Sequence, residues 1–116
     1  MLHIKRTHEE SIEVLTVSGE IDASSSIEFD LAIAKCVGDG CRRILVDCHA
    51  LEYISSAGLG VFMSYIEEFK EKGIVMVLFG MRDKVAHTFS ILGLADLLNI
   101  ASNKEEAKKR IHELSV

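Results

Sequence analysis

The sequence predicts an α/β fold: one domain over residues 1–116, with a mainly parallel mixed β-sheet opened by an antiparallel hairpin and about four α-helices. Three observations predict it. Apolar runs of strand length alternate with amphipathic stretches of helix length along most of the chain. The first two strand-like runs are separated only by a turn, as a hairpin requires. Later strand-like runs are almost wholly apolar, as befits strands covered on both faces.

In chain order, Ile4 to Thr7 and Ile12 to Val17 alternate loosely between apolar and polar residues, and His8-Glu9-Glu10-Ser11 between them reads as the hairpin turn. Gly19 ends the second strand. Asp22 or one of Ser24, Ser25 and Ser26 then caps a helix whose inner face is Ile27, Leu31, Ala34 and Val37, and Gly38-Asp39-Gly40 stops it. Ile44-Leu45-Val46 is a short buried strand. Beyond the segment from Leu51 to Gly58, the residues Leu59, Phe62, Met63, Ile66 and Phe69 recur at helical spacing as far as Lys72, where Gly73 intervenes. Met63, Phe69 and Met76 are expected in the core. Ile74 to Phe79 is an apolar strand closed by Gly80. A helix carrying Val85, Phe89, Ile91 and Leu92 stops at Gly93, and a short strand spans Leu98 to Ala101. The last helix starts after Asn103, with Glu105 and Glu106 early and Lys108, Lys109 and Arg110 late, as the helix dipole favours. The order β-β-α-β-α-β-α-β-α implies right-handed crossovers packing helices onto the sheet.

Composition narrows the function classes. The formal net charge is −5 and no basic stripe is visible, so nucleic acid is not an expected ligand. Without an apolar run of about 18 residues, no membrane insertion is expected, and the N-terminus lacks the long apolar stretch of a signal peptide. Cys36, Cys41 and Cys48 form no C-x-x-C and are expected reduced. Cys48-His49 is the one local Cys/His pair, and it reads as a small buried thiol rather than a metal site. No Gly-x-Ser-x-Gly elbow, Walker loop or H-x-x-x-H pair is present, and His87 and His112 read as surface residues, so intrinsic catalysis is not expected.

The informative segment is Ser55-Ser56-Ala57-Gly58, placed where a loop enters a helix. A serine there has a structural use, capping the free N–H groups of the first turn. Gly58 and Gly60 have one too, close backbone packing. Leu51-Glu52-Tyr53-Ile54-Ser55-Ser56-Ala57-Gly58-Leu59-Gly60-Val61, however, resembles the signature of anti-sigma factor antagonists: an aromatic and an apolar residue, then Asp-Ser-x-Gly-Leu-Gly. Gly19-Glu20-Ile21-Asp22 and Val46-Asp47 resemble two further family positions, at the ends of the second and third strands. The element order matches over nearly the whole chain.

This resemblance, to the STAS-domain antagonists, implies a cytoplasmic partner-switching protein without cofactor or metal that regulates transcription. The unphosphorylated form would bind an anti-sigma factor that is itself a serine protein kinase. Phosphorylation of one serine would release it, and a serine phosphatase would restore binding. The resemblance places the phosphorylation at Ser56, with Ser55 as the alternative, because the family's preceding Asp is Ser55 here. It implies a partner surface of Asp22, Ser55, Ser56, Ala57, Gly58 and Leu59, although Asp22 serves equally as a turn or cap residue. Ser24, Ser25 and Ser26 read as loop or first-turn residues. The rival reading within the same fold is an accessory or scaffold subunit of a transporter or stress-signalling assembly.

Overall fold

The computed structural model describes residues 1–115. Strands β1 (Leu2–Glu9) and β2 (Ile12–Ile21) pair antiparallel, from Leu2 opposite Gly19 to Glu9 opposite Ile12. Their two-residue connection, Glu10 and Ser11, has φ of 49° and 70°. Positive φ at both turn residues is the twist a tight hairpin needs, here adopted without glycine. β3 (Arg43–Ile54), β4 (Val75–Phe79) and β5 (Asn99–Ala101) add in parallel, giving the order β1-β2-β3-β4-β5.

Because each parallel strand is added on the same side of its predecessor, right-handed crossovers carry every connecting helix to one face. That face bears α1 (Ser26–Gly38), α2 (Ser56–Ser64), α3 (Ile66–Lys72) and α4 (Asp83–Ile91), over a core including Leu15, Val17, Val46, Leu59 and Leu78. Three rings tie the helices together: Phe29 and Phe62 lie 4.9 Å apart, and Phe62 and Phe89 5.8 Å apart, both tilted as ring quadrupoles prefer. After a 3₁₀ turn at Leu94–Asp96, α5 (Lys104–Leu114) covers the other face with Ala107 and Ile111 on Val14, Leu45 and Val77. Asn103 caps α5, its side-chain oxygen accepting the Glu106 N–H at 2.9 Å. Cys48 is buried as expected, while His87 and His112 are exposed.

Several expectations are corrected. β2 does not stop at Gly19 but runs to Ile21, with a register shift between Gly19 and Glu20. Gly19 has φ 94°, and a Cβ there would sit 1.9 Å from the Met1 carbonyl oxygen, so the glycine accommodates a bulge rather than ending the strand. β3 extends far beyond Ile44-Leu45-Val46, with Cys48, Leu51 and Ile54 buried. On α1 the buried residues are Phe29, Ile33 and Cys36, whereas Ile27 and Leu31 are 65% and 66% exposed. Both apolar sets fit a 3.6-residue period, and the ring stack selects the one containing Phe29. Met63 is likewise exposed instead of buried, and Met76 is half-buried against the core.

The expected helix to Lys72 starts earlier, at Ser56, and divides at Tyr65. The Ser64 hydroxyl donates to the Val61 carbonyl at 2.7 Å, and the Tyr65 N–H turns to the Phe62 carbonyl instead. A side chain that claims a helical carbonyl in this way bends the helix. The Tyr65 hydroxyl also bonds the Asp30 carboxylate of α1, holding the division in place.

Candidate functional site

The site lies at the C-terminal ends of β2 and β3, where consecutive strand-to-helix loops meet. Open parallel sheets place their functional groups at this end. The Ser55 N–H donates to the Ile21 carbonyl at 2.8 Å, extending the ladder one step past the Ile21–Ile54 pair. That bond joins the loop carrying Asp22 to the loop carrying Ser55 and Ser56.

Ser55 and Ser56 are sorted by geometry. Ser55 is the N-cap of α2, with extended backbone, and its Oγ accepts the Gly58 N–H at 3.2 Å. Ser56 is the first helical residue and exposed, and among the described residues its hydroxyl has no hydrogen-bond partner. One serine is engaged in the fold and the other is free. α2 contains no charged residue and exposes Ser56, Ala57, Gly60, Met63 and Ser64. The exposed hydroxyl thus stands beside the positive end of a helix, at the edge of a neutral, small-residue surface.

The two glycines of the motif differ. A Cβ on Gly58 would lie 2.6 Å from Ile21 Cγ2 and 2.8 Å from Ile54 Cγ1, so glycine is required for α2 to sit on the ends of β2 and β3. Among the described residues a Cβ on Gly60 would meet nothing within 4 Å, so internal packing, the expectation for both, accounts only for Gly58. Leu59 is also turned inward, 4% exposed and part of the core. Of the residues expected at a partner surface, Ser56 and Ala57 are exposed, Asp22 and Ser55 are half-buried, and Gly58 and Leu59 face the interior.

Asp22 organises the neighbouring loop. Its Oδ1 accepts the Ser25 and Ser24 backbone N–H groups at 2.8 and 3.0 Å, and the Ser24 hydroxyl lies at 2.8 Å. These donors, the Ser25 amide foremost, hold its carboxyl pKa down to about 2. The cap of α1 is thus not Asp22 but Ser25, which has no side-chain capping bond. Ser25 and Ser26 are buried, the Ser26 hydroxyl donating to the Ala23 carbonyl at 2.9 Å, and Ser24 is exposed. Asp22 is a turn residue by its bonds and a neighbour of Ser55 by the Ile21 link.

One exposed group beside the site was not singled out from sequence. Tyr53 is half-exposed directly before the site, opposite Glu20 in the β2–β3 register. Ile27 and Leu31, expected on the inner face of α1, project outward from it.

The STAS domain family model matches residues 3–107. The anti-sigma-B factor antagonist of Staphylococcus aureus is 27% identical over 104 residues, covering 90% of this chain and 96% of that protein. Among solved structures, a putative anti-sigma factor antagonist from Thermotoga maritima superposes with a TM-score of 0.87 at 18% identity, covering 94% of each chain. The Bacillus cell fate determinant SpoIIAA in its phosphorylated form superposes with a TM-score of 0.68 at 19% identity, covering 96% of this chain and 99% of that one.

Proposed function

Because the chain belongs to the STAS domain family, we propose that it is an anti-sigma factor antagonist, a binding protein of the cytoplasm that controls transcription by capturing an anti-sigma factor. Relatives covering nearly the same length carry the name of anti-sigma-B factor antagonist, which supports the reading. No described helix is long and apolar enough to cross a membrane. The partner is an anti-sigma factor with serine kinase activity, Ser56 is the residue it phosphorylates, and a serine phosphatase reverses the step.

The observation that carries this reading is the free, exposed Ser56 hydroxyl at the start of an uncharged helix. A phosphoryl group adds about −1.5 to −2 charges and three acceptor oxygens. On the free domain those charges face exposed helix amides, so the fold tolerates them. In a complex the same group must leave water on a surface where α2 supplies no cation, and the penalty is about several kcal/mol. Each ~1.4 kcal/mol is tenfold in affinity, so modification breaks the interface while sparing the domain. Gly60 fits the same account: with nothing in the fold requiring glycine, its bare backbone lets a partner approach α2 closely.

Phosphosite mapping of the protein isolated from its own cells, with bound partners retained, tests the proposal. The expected result is phosphate on Ser56 and a kinase-like protein bound only to the unmodified form. Unmodified Ser55 and Ser56 with a transporter or scaffold protein co-purifying would overturn it.

A further inference from the structure

Ser56 lies two residues beyond Ile54, where β3 ends, and a second chemically distinctive cluster lies just before Arg43, where β3 begins. Helix α1 ends there in a left-handed Gly40, φ 83°, with the Gly40 N–H on the Val37 carbonyl and the Cys41 N–H on the Cys36 carbonyl, both at 3.0 Å. This pair of bonds is the Schellman ending, which brings together the side chains at the ends of the longer bond. Here both are cysteines, joined by the Cys41 N–H bond to the Cys36 carbonyl. Cys36 is fully buried and Cys41 partly exposed. Cys41 opens onto a cleft lined by Arg6, Arg42 and Arg43, with Glu13 and Asp39. Arg6 is engaged by both carboxylates and reaches Cys41 Sγ at 3.4 Å, whereas Arg42 and Arg43 make no salt bridge among the described residues.

We propose that Cys36 and Cys41 form a dithiol that exchanges with small anionic disulfides, of which oxidised glutathione is the probe, and closes to an intramolecular disulfide. The Cys41 thiolate attacks one sulfur of the oxidant, forming a mixed disulfide and expelling one glutathione thiolate, which takes up a proton. The Cys36 thiol then gives up its proton and attacks Cys41 Sγ, breaking the mixed bond and releasing the second glutathione. Two cysteine thiols lose two electrons and two protons, and one glutathione disulfide becomes two thiols. Arg42 and Arg43 supply charge complementary to the glutathione carboxylates, which makes the cleft selective for an anionic oxidant. Burial and the Glu13 and Asp39 carboxylates raise the Cys41 thiol above its ordinary range, against the opposing Arg6, so the exchange is slow at neutral pH and accelerates with alkali.

The test is incubation of the reduced full chain with oxidised glutathione, acid quenching, and peptide mapping by mass spectrometry. The expected product carries a Cys36–Cys41 bridge and a free Cys48, which is fully buried with its thiol directed at the Val46 carbonyl. C36A should stop at one glutathione on Cys41, and C41S should not react. Should C36A fail to fold, rapid quenching of the unsubstituted protein should catch the same adduct on Cys41. Replacing Arg42 and Arg43 together by Ala should slow the reaction severalfold with glutathione disulfide and leave it unchanged with uncharged hydroxyethyl disulfide. No bridge, a bridge through Cys48, or a mixed disulfide that persists in the unsubstituted protein would overturn the dithiol. Equal slowing with both disulfides would overturn the selectivity for an anion.

Discussion

Gly58 and Gly60 stand two residues apart in one helix, yet alanine at each should act in opposite directions. At Gly58 the added Cβ meets Ile21 Cγ2 at 2.6 Å and Ile54 Cγ1 at 2.8 Å, well inside carbon–carbon contact. Ile21 and Ile54 are 0% and 4% exposed at the ends of paired strands, so neither side chain has free space to enter. Overpacking of this kind costs about 1–3 kcal/mol, against which the helical preference for Ala returns only about 0.5–1 kcal/mol. At Gly60 the new methyl meets nothing, so only the propensity gain remains, about 0.5–1 kcal/mol in favour of the folded state. Urea denaturation of the three proteins measures both differences. A rise in melting temperature for G60A of roughly 4 °C per kcal/mol, with a fall for G58A, is the thermal counterpart. G58A as stable as the unsubstituted protein, or G60A less stable, would refute the packing argument. G60A also probes function: with Gly60 at the interface, the variant is more stable but binds its partner less well.

Further outcomes follow from the capping groups. S55A removes the acceptor of the Gly58 N–H and should lower stability by about 1 kcal/mol, whereas S55D keeps the cap, adds a charge the helix N-terminus favours, and should be at least as stable by the same denaturation measurement. D22N tests the loop. The carboxyl pKa is about 2 in the folded protein against an ordinary value of 3.8, so the stability its charge supplies is present above pH 4 and lost as pH falls towards 2. The stability gap between the parent protein and D22N, followed by chemical denaturation at a series of pH values, should therefore narrow through that window, and a gap independent of pH would count against the assignment. N103A removes the cap of α5 and should cost about 1 kcal/mol without changing partner binding, since α5 covers the opposite face of the sheet.

Much of the fold is legible in the sequence because its strongest signals are local. The apolar runs of β4 and the start of β3, the turn between β1 and β2, and the Asn103 cap each declare themselves within a few residues. The misreadings fall where tertiary contacts choose between local options. The phase of α1 depended on Phe29 meeting Phe62, and the division of the next helix on Ser64 and Tyr65 finding Val61 and Asp30. β3 concealed its length because Asp47, His49 and Glu52 interrupt its apolar pattern, and a β2–β3 register shift between Thr16 and Ser18 breaks the alternation. At the site, the motif identified the segment but not which serine is free, nor that Gly58 and Leu59 face inward. Those distinctions rest on one hydrogen bond from Gly58 and on the position of Ile21, a residue from another strand.

The central claim is that Ser56 carries a charge-operated switch for partner binding that leaves the domain intact. Affinity for the cognate anti-sigma factor, measured by calorimetry for the unmodified and Ser56-phosphorylated proteins and paired with their melting temperatures, tests it most directly. The account predicts at least a roughly 100-fold loss of affinity, about 2.7 kcal/mol, with melting temperatures nearly equal. Equal affinities, or a loss of affinity that only accompanies unfolding, would contradict it.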